Sequence, residues 1–379
     1  MPESVLELRA GSATVRLRYV SEPPLIFILA SDSAAQWPAH VLRLGWAEGT
    51  REGERFSGPA SMVTNRSTRE RVLARLREES GQERTERWFS HPGPLLVVRI
   101  GADVANPDPF GRWIGDEFDI AAEAYAERLD HNPVERQWRL RSIELLSRTF
   151  AQPGRLLEIG PGPGTETLPM LRLGHRVAAV DVSGRMLDLL RNRARAEGLE
   201  HQLDARILRC RDLSSLVTDA GPGSFDGAYS TFGAVNLEPD LTPVADGLAQ
   251  LLKPGSRLVL GTYNRHAIME PLVALARGHF RQSLARQHAP ALVGSHRFSL
   301  DVYFRSAGDL ERTFSRGFVP RGCQSVGVIV PPPNFVPRVD HLGLRWDRLD
   351  RWDRWWGALP PLSCMGDQVF VVLERTRDT

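Results

Sequence analysis

The sequence predicts an α/β protein in which a parallel sheet, covered by helices on both faces, follows a smaller β-rich region. Three observations support this fold class. Strand-like apolar runs alternate with helical segments over about residues 117–264, a pattern typical of parallel sheets. A glycine-rich loop joins one of these strands to the helix after it. Short β-like runs separated by Gly, Pro, Asn and Ser fill about residues 4–101.

The first region is predicted to be a small β-rich barrel with a helix. One helix is expected over about 68–80, and the turn-rich stretch 106–109 favours a linker. We therefore place an accessory domain at 1–105, a linker at 106–116 and a second domain at 117–379. Strands of the first domain are predicted at 4–9, 13–19, 25–30, 41–47, 53–63 and 95–100.

The second domain begins as a regular alternation and becomes irregular after its fifth strand. Ser183 is a plausible N-cap for a helix that runs to about residue 197. An insertion is expected at about 265–317. The other predicted helices are 165–173, 243–252 and 346–356. The predicted strands are 155–160, 176–181, 205–211, 225–231, 256–262, 322–330 and 368–374.

The charge balance argues against a nucleic-acid partner. The 379 residues include 48 basic and 46 acidic side chains, for a formal net charge of +2. Only Lys253 is a lysine, so the other 47 basic residues are arginines. A large nucleic-acid footprint usually needs a clear basic excess. The longest apolar runs, such as 25–30, are far shorter than the ~20 residues of a membrane span.

The three cysteines, Cys210, Cys323 and Cys364, are far apart and form no CxxC pair. This pattern predicts a reducing compartment, with no disulfide framework and no structural metal site. The first residues show no basic segment followed by an apolar run, so we expect no signal peptide and a cytoplasmic location.

The central motif is an apolar strand that runs into Gly160-Pro-Gly162-Pro-Gly164 and then into a helix. Glycine permits positive φ and lets a ligand approach the backbone closely. The spacing differs from the dinucleotide fingerprint, because the third glycine comes one place early. The next strand ends in Asp181, where a carboxylate can accept hydrogen bonds from both hydroxyls of a ribose.

Residues 117–379 resemble the class I S-adenosylmethionine-dependent methyltransferases, on the glycine loop, Asp181, the stretch 211–213, the stretch 225–233 and the turn 251–255. The resemblance implies a Rossmann-like seven-stranded sheet and S-adenosyl-L-methionine as the cofactor. It assigns the cofactor contacts to Tyr125, Arg141, Glu158, Gly160, Pro161, Gly162, Gly164, Asp181, Val182, Met186, Asp212, Leu213, Ser230, Thr231 and Phe232.

Several of these positions have a specific role in the family that the chain resembles. Asp181 corresponds to the ribose ligand, and Asp212 to the residue on the exocyclic amine of adenine. Tyr125 corresponds to a tyrosine that covers the cofactor in many small-molecule enzymes. Either Arg139 or Arg141 could meet the carboxylate of the cofactor.

Methyl transfer from a sulfonium is an in-line displacement, so the protein mainly aligns the acceptor atom. A base is needed only where an O, N or C acceptor must lose a proton. The segment 230–233 lacks the acid or asparagine, two prolines and aromatic of many nucleic-acid and protein methylating enzymes. This favours a small-molecule acceptor. The insertion is expected to form its pocket, and the apolar residues Ile268, Met269, Leu272 and Phe280 either line a lipophilic pocket or form the core face of a helix. His266 and Tyr263 lie nearest the strand end and are the candidate catalytic residues.

Two further regions leave alternatives open. Residues 345–356 carry four arginines, three aspartates and tryptophans at helical spacing, which predicts an amphipathic helix whose aromatic stripe packs on the sheet. The N-terminal domain faintly resembles the split-barrel deazaflavin-dependent nitroreductases, on Tyr19, the stretch 27–40 and 88–89, but lacks their phosphate-contacting stretch. Alternatives are therefore a fusion with a flavin or deazaflavin redox domain, or a non-catalytic regulatory protein that binds S-adenosylmethionine. The sequence also leaves open a homodimer.

Overall fold

The computed structural model describes residues 5–10, 13–22, 25–29, 37–44, 46–63, 66–80, 95–99, 109–276, 286, 291–293, 300–333 and 346–376. The chain divides into two compact units. The first comprises residues 1–114 and 292–301, and the second comprises residues 115–291 and 302–379.

The first unit is built on a closed antiparallel barrel of six strands in the order β1-β2-β3-β6-β5-β4. Alternate apolar side chains such as Leu6, Leu8, Ile26 and Ile28 are buried in one cluster, as the period of two predicts. The expectation of a small β-rich barrel is therefore confirmed. The strands are β1 Val5–Ala10, β2 Ala13–Glu22, β3 Leu25–Leu29, β4 Trp46–Arg51, β5 Glu54–Met62 and β6 Leu95–Arg99.

Two helices accompany the barrel, α1 Trp37–Leu44 and α2 Arg66–Ser80. The strand predicted at 41–47 is wrong, because its first four residues belong to α1 and β4 begins only at Trp46. A short apolar run fits one face of a helix as well as a strand, and Val41 is buried from the helix. Residues 88 and 89, part of the split-barrel resemblance, lie outside the described residues.

Two long helices follow in the chain, α3 Pro109–His131, within which the second unit begins at residue 115, and α4 Pro133–Thr149. Helix α3 begins inside the segment expected to be a linker. Asn132 separates the two helices and caps α4, its Oδ1 accepting from the backbone N–H groups of Val134 and Glu135.

A seven-stranded sheet in the order β14-β15-β11-β10-β7-β8-β9 forms the centre of this unit. Strands β7 to β11 are parallel, whereas β15 and β14 are antiparallel. The predicted α/β fold class is thus confirmed. Its strands are β7 Arg155–Ile159, β8 Arg176–Asp181, β9 Leu203–Ile207, β10 Phe225–Ser230, β11 Leu252–Tyr263, β14 Phe318–Val326 and β15 Gln368–Arg375.

Buried clusters cover both faces of this sheet. Leu157 and Leu258 belong to the cluster on one face, and Leu156 and Val259 to the cluster on the other. The packing helices and the smaller elements of the insertion are α5 Thr167–Arg172, α6 Gly184–Ala196, α7 Leu216–Ala220, α8 Thr242–Leu251, α9 Met269–Ala276, β12 Ala291–Val293, β13 Leu300–Val302, α10 Ala307–Phe314 and α11 Trp346–Trp356.

The strand order reverses between β7 and β10, because the chain runs outward from β7 through β8 to β9 and then returns to the other side of β7. Crevices at the carboxyl ends of strands beside such a switch point are where open α/β sheets bind ligands. The glycine loop after β7 lies at this position.

Helix α11 packs with its charged face inward, which corrects the prediction of a buried aromatic stripe. Asp350 and Asp353 are buried, whereas Trp352 is 60% exposed. Asp353 ion-pairs with Arg141 and accepts hydrogen bonds from the N–H groups of Gly327 and Ile329 at 3.0 and 2.8 Å. These partners lie far away in the sequence, so the helical pattern alone did not reveal them.

The expectation of no disulfide is also wrong. Cys323 on β14 is bonded to Cys364, which ends a short 3-10 helix, and their Cα atoms are 6.1 Å apart. Cys210 is a buried free thiol. The bonded cysteines are 41 positions apart, and this separation concealed the pairing, because the contact depends on how the chain returns to β14.

Among the residues described, no helix is both long and apolar enough to cross a bilayer.

Candidate functional site

The glycine loop is built around three residues with positive φ. Gly160, Gly162 and Gly164 have φ values of 69°, 53° and 91°. A Cβ at Gly160 would lie 2.2 Å from the Cβ of Ala234, and one at Gly164 would lie 2.4 Å from a leucine side chain. Gly160 and Gly164 are therefore needed because neighbouring side chains of the protein occupy the space that a Cβ would take. Among the residues that the structure describes, a Cβ at Gly162 would meet only the ring of Tyr125, at 3.9 Å, so this part of the chain leaves the space in front of Gly162 open.

Backbone hydrogen bonds hold the loop in this conformation. The N–H of Gly160 donates to the carbonyl of Val180 at 2.8 Å, and the N–H of Gly164 donates to the carbonyl of Pro161 at 3.0 Å. The first bond ties the loop to the end of β8. The open space at Gly162 is therefore a feature of a fixed backbone.

Asp181 ends β8 and is bonded directly to the loop. Its Oδ2 accepts from the N–H of Gly162 at 3.2 Å, and its Oδ1 accepts from the N–H of Ser183 at 3.0 Å. Burial raises the pKa of Asp181 to about 6, against the lowering effect of these N–H donors. A half-buried carboxylate at this strand end is suited to accept hydrogen bonds from the hydroxyl groups of a ribose.

The predicted adenine-side residues occupy the neighbouring segments. Val182 is half-buried after Asp181, and Met186 is buried in the first turn of α6. The turn Cys210–Ser215 carries an exposed Asp212 and a buried Leu213. This turn follows β9, the edge neighbour of β8.

A buried polar network lies beneath the loop and centres on Glu158. Its Oε2 accepts from the hydroxyls of Thr167 and Tyr229 at 2.6 and 2.9 Å. Burial raises the pKa of Glu158 to about 8. Because Glu158 is on β7, Thr167 on α5 and Tyr229 on β10, the network joins the three elements around the loop.

The structure brings Arg139, and not Arg141, to the site. Arg139 donates to Glu166 at 2.8 Å and to the hydroxyl of Tyr125 at 3.0 Å, and its guanidinium lies 3.9 Å from the ring centre of Phe232. Burial, the largest single influence, lowers the pKa of Arg139, but the groups around it, Glu166 first and then Tyr125, Glu135 and Tyr263, together raise that pKa above its ordinary value.

Arg141 lies elsewhere, so its assignment to the cofactor carboxylate is corrected. It is buried, and its guanidinium pairs with Asp353 and donates to the carbonyl of Ser325. Residues two apart on a helix point about 200° apart, which puts Arg139 and Arg141 on different faces of α4.

The segment after β10 closes the other side of the loop. Ser230 is buried and donates to the carbonyl of Ile159 at 2.9 Å, which ties β10 to the end of β7. Thr231 is buried as well. Phe232 has φ of 50°, unusual for a residue other than glycine, and its ring packs edge-on against Phe370.

The two predicted catalytic residues, Tyr263 and His266, differ in how far they are buried. Tyr263 ends β11 with its ring packed against Phe304 and the backbone of Gly233, and burial raises the pKa of its phenol. Asn236 fixes this strand end, since its Oδ1 accepts from the N–H of Tyr263 at 2.9 Å. The side chain of His266 is exposed, and the structure shows no contact between it and Tyr263.

Glu135 is a candidate that sequence reasoning missed. Its Oε1 lies 3.4 Å from Arg128 Nε, and Arg128 lies over the ring of Tyr125. Its Oε2 is buried and accepts no hydrogen bond. The only signal available was its position one helical turn before Arg139 on α4. A buried carboxylate oxygen without a donor is costly unless a ligand supplies one.

In chemical terms, the site combines an open backbone cradle, a ribose-type carboxylate, a buried arginine and two tyrosines. These groups suit a nucleoside cofactor and a nearby acceptor. Among the residues described, no group of three or more His, Cys, Asp or Glu side chains could hold a metal ion.

Comparisons with known proteins agree with this geometry. Residues 156–255 match the sequence profile of a family described as "Methyltransferase domain". A ubiquinone biosynthesis O-methyltransferase of Xanthomonas euvesicatoria is 32% identical over 134 residues, which are 35% of this chain and 51% of that protein. The enzyme of the same name from Xanthomonas oryzae is 37% identical over 113 residues, 29% of this chain and 44% of that protein. The chain therefore spans about half the length of these relatives.

The crystal structure of the cyclase SpnF aligns with 72% of this chain and 99% of its own, with a TM-score of 0.50 and 16% identity. At this identity the likeness shows the fold alone. Because a cyclase shares this fold, the fold alone does not identify the reaction that a protein catalyses.

Proposed function

We propose that the second unit is a class I S-adenosylmethionine-dependent methyltransferase, and that the protein transfers a methyl group from that cofactor to an O, N or C nucleophile of a small, lipophilic molecule. The observation that carries the proposal is the open cradle at Gly162, bounded by Tyr125 and tied to Asp181. It lies at the switch point where this fold class binds ligands.

The residues present fit the cofactor. Asp181 would accept the ribose hydroxyls, and the loop at Gly162 would pass closely beneath the methionine part. Arg139 contacts both Tyr125 and Phe232, two residues that border the cradle and the end of β10. We therefore assign the carboxylate of the cofactor to Arg139. The bound sulfonium supplies an activated methyl group.

The residues on the acceptor side form a largely aromatic wall with one acidic group. Tyr125, Phe232 and Tyr263 supply rings, and the buried Oε2 of Glu135 supplies a free acceptor. A hydroxyl or N–H of the acceptor molecule would donate to this oxygen, and Glu135 would take the proton where the chemistry requires it. Tyr263 would position the acceptor, whereas the exposed His266 is a weaker candidate for the base.

Binding of the cofactor is tested with Asp181→Ala in isothermal titration against S-adenosylmethionine. Losing hydrogen bonds to a charged group costs about 1.5–3 kcal/mol, so affinity should fall at least about tenfold. Asp188→Ala is a matched control, because Asp188 is an exposed aspartate on the next helix that pairs with Arg191. Equal affinity in the two variants would contradict the assignment.

Catalysis is tested by incubating the protein with methyl-labelled cofactor and a lipophilic metabolite extract, followed by mass identification of the products. A labelled small molecule that disappears in Asp181→Ala supports the proposal. Tight cofactor binding without any labelled product would instead indicate a regulatory protein. Light scattering on the same preparation tests the expected homodimer.

A further inference from the structure

The surface of α11 presents an aromatic patch that neither the fold nor the candidate site uses. Trp352, Trp355 and Trp356 are 60%, 55% and 39% exposed, and Leu359, just after the helix, is 39% exposed. Trp355 packs edge to face against Trp352 and Trp356, with ring centres 6.4 and 5.0 Å apart. Contiguous exposed apolar surface of this kind marks an interaction site more often than a scattered residue does.

The patch is exposed because α11 is held from its other side, where Asp350 and Asp353 are buried and Leu349 packs against the core. Asp353 is held by Arg141 and by the N–H groups of Gly327 and Ile329. Asp350 pairs with Arg354, which also pairs with Glu144 on α4 at 2.7 Å. The indoles are therefore available for a partner without any loss of the contacts that hold α11.

Cations flank the tryptophans. Arg348 and Arg351 are exposed on α11 and make no ion pair among the described residues. The two aspartates described on the helix face inward. Among the side chains described on α11, the outward surface thus combines three indole rings with two guanidinium groups that make no ion pair. Indole rings favour the interface between hydrocarbon and headgroups, and arginines favour anionic headgroups.

We propose that the exposed face of α11, formed by Arg348, Arg351, Trp352, Trp355 and Trp356, binds the surface of an anionic phospholipid membrane. The helix would lie in the interface with its tryptophans among the headgroups. This binding site is separate from the cofactor cradle and does not depend on the proposed methyl transfer.

A partner protein and a single-stranded nucleic acid fit this surface less well than a membrane does. The exposed parts of the three tryptophans amount to roughly 400 Å², whereas a stable protein interface buries about 800 Å² on each partner. Single-stranded nucleic acid stacks its bases on the open faces of aromatic rings. Here the rings stand at 89° and 79° to each other and form a continuous apolar surface rather than a row of parallel platforms.

The test is co-sedimentation of the full chain with vesicles of phosphatidylcholine alone and with vesicles containing about a third phosphatidylglycerol, at low and high salt. The protein should bind the anionic vesicles and be released by salt, since screening weakens the arginine contribution. Arg348→Gln with Arg351→Gln should lower the partition coefficient about thirtyfold, at a factor of about five for each arginine.

Trp352→Gln, Trp355→Gln and Trp356→Gln together should abolish sedimentation with either vesicle. The matched controls are Leu173→Gln, another exposed apolar residue, and the pair Arg195→Gln and Arg316→Gln, which removes the same charge elsewhere. All controls should bind like the unchanged protein. If the triple variant melts early, the single variant Trp355→Gln should still lower vesicle binding severalfold.

Three results would overturn the proposal. The first is a protein that stays in the supernatant with anionic vesicles. The second is a folded triple variant that sediments as well as the unchanged protein. The third is a tryptophan-dependent dimer in light scattering, or tryptophan-dependent binding of an oligo-dT strand, without vesicle binding. Titration of S-adenosylmethionine into the triple variant should give unchanged affinity, which keeps this test apart from that of the methyl transfer.

Discussion

Replacing Gly162 with alanine separates the role of the cradle from its backbone strain. Gly162 has φ of 53°, and a Cβ there would meet only Tyr125, at 3.9 Å. The strain of an L-residue at positive φ is about 1–2 kcal/mol. The free energy of unfolding should fall by that amount and no more, because no described residue occupies the space of the new methyl group. The affinity for S-adenosylmethionine should fall at least tenfold, or about 1.4 kcal/mol, because the methyl group takes space that the ligand needs.

Two other glycines provide the controls. Gly198 has φ of 72° and nothing within 4 Å of its Cβ position, and it follows the end of α6 that is remote from Asp181. Gly198→Ala should cost the same strain and leave the affinity unchanged. Gly160→Ala should destabilise further by about 1–3 kcal/mol, because its Cβ would lie 2.2 Å from that of Ala234.

Urea unfolding measures the free energy of unfolding of the three variants, and calorimetric titration measures their affinity for S-adenosylmethionine. If Gly162→Ala binds the cofactor as tightly as Gly198→Ala does, the space in front of Gly162 is not the cofactor site. A loss of stability as large as that of Gly160→Ala would show that Gly162 serves packing instead.

Arg139→Lys should weaken cofactor binding in titration while the melting temperature changes little, because lysine keeps the charge but loses the planar fork. Arg141→Met should lower the melting temperature and leave cofactor binding unchanged, since it leaves Asp353 buried and unpaired at a cost of about 3–5 kcal/mol. A loss of cofactor affinity in both variants would contradict the assignment of separate roles to Arg139 and Arg141. Glu135→Gln should lower kcat by roughly 10²–10⁴ once an acceptor is known, with cofactor affinity unchanged, whereas His266→Ala should leave kcat nearly intact.

The parts of the fold that were predictable from the sequence depend on contacts between near neighbours. The strand limits at 176–181 and the N-cap at Ser183 follow from local periodicity and capping chemistry, and both agree with the structure. Asp181 and the three loop glycines could be located because strand, loop and helix are consecutive. Their proximity follows from the topology of a parallel sheet.

The failures share a different physical cause. Helix α11 was expected to bury its tryptophans, but Asp353 finds its partner in Arg141, 212 residues away. The Cys323–Cys364 bond depends on the return of the chain to β14. The choice between Arg139 and Arg141 depends on the rotation of α4 about its axis, because Arg141 lies in the buried stripe of the helix and Arg139 is only partly buried. Local pattern does not determine such long-range polar pairing.

Glu158 gives the protein a predictable dependence of stability on pH. Its folded-state pKa is raised to about 8 by burial, whereas an unfolded glutamate titrates near about 4.3. Between these values the folded state holds a proton that the unfolded state has released. The contribution of Glu158 to the free energy of unfolding is therefore complete below about pH 4.3 and is lost as the pH rises towards 8.

Glu158→Gln isolates this contribution, because glutamine retains an oxygen that accepts from Thr167 and Tyr229 but does not titrate. Subtracting the two proteins cancels every other titrating group, Asp181 included. The advantage of the unchanged protein over the variant should shrink by about 1.4 kcal/mol for each pH unit between 5 and 7. Urea unfolding at pH 5, 6 and 7 measures it. A difference that stays constant across this range would mean that Glu158 is ionised in the folded protein, and that the network beneath the glycine loop stabilises a charge rather than a neutral acid.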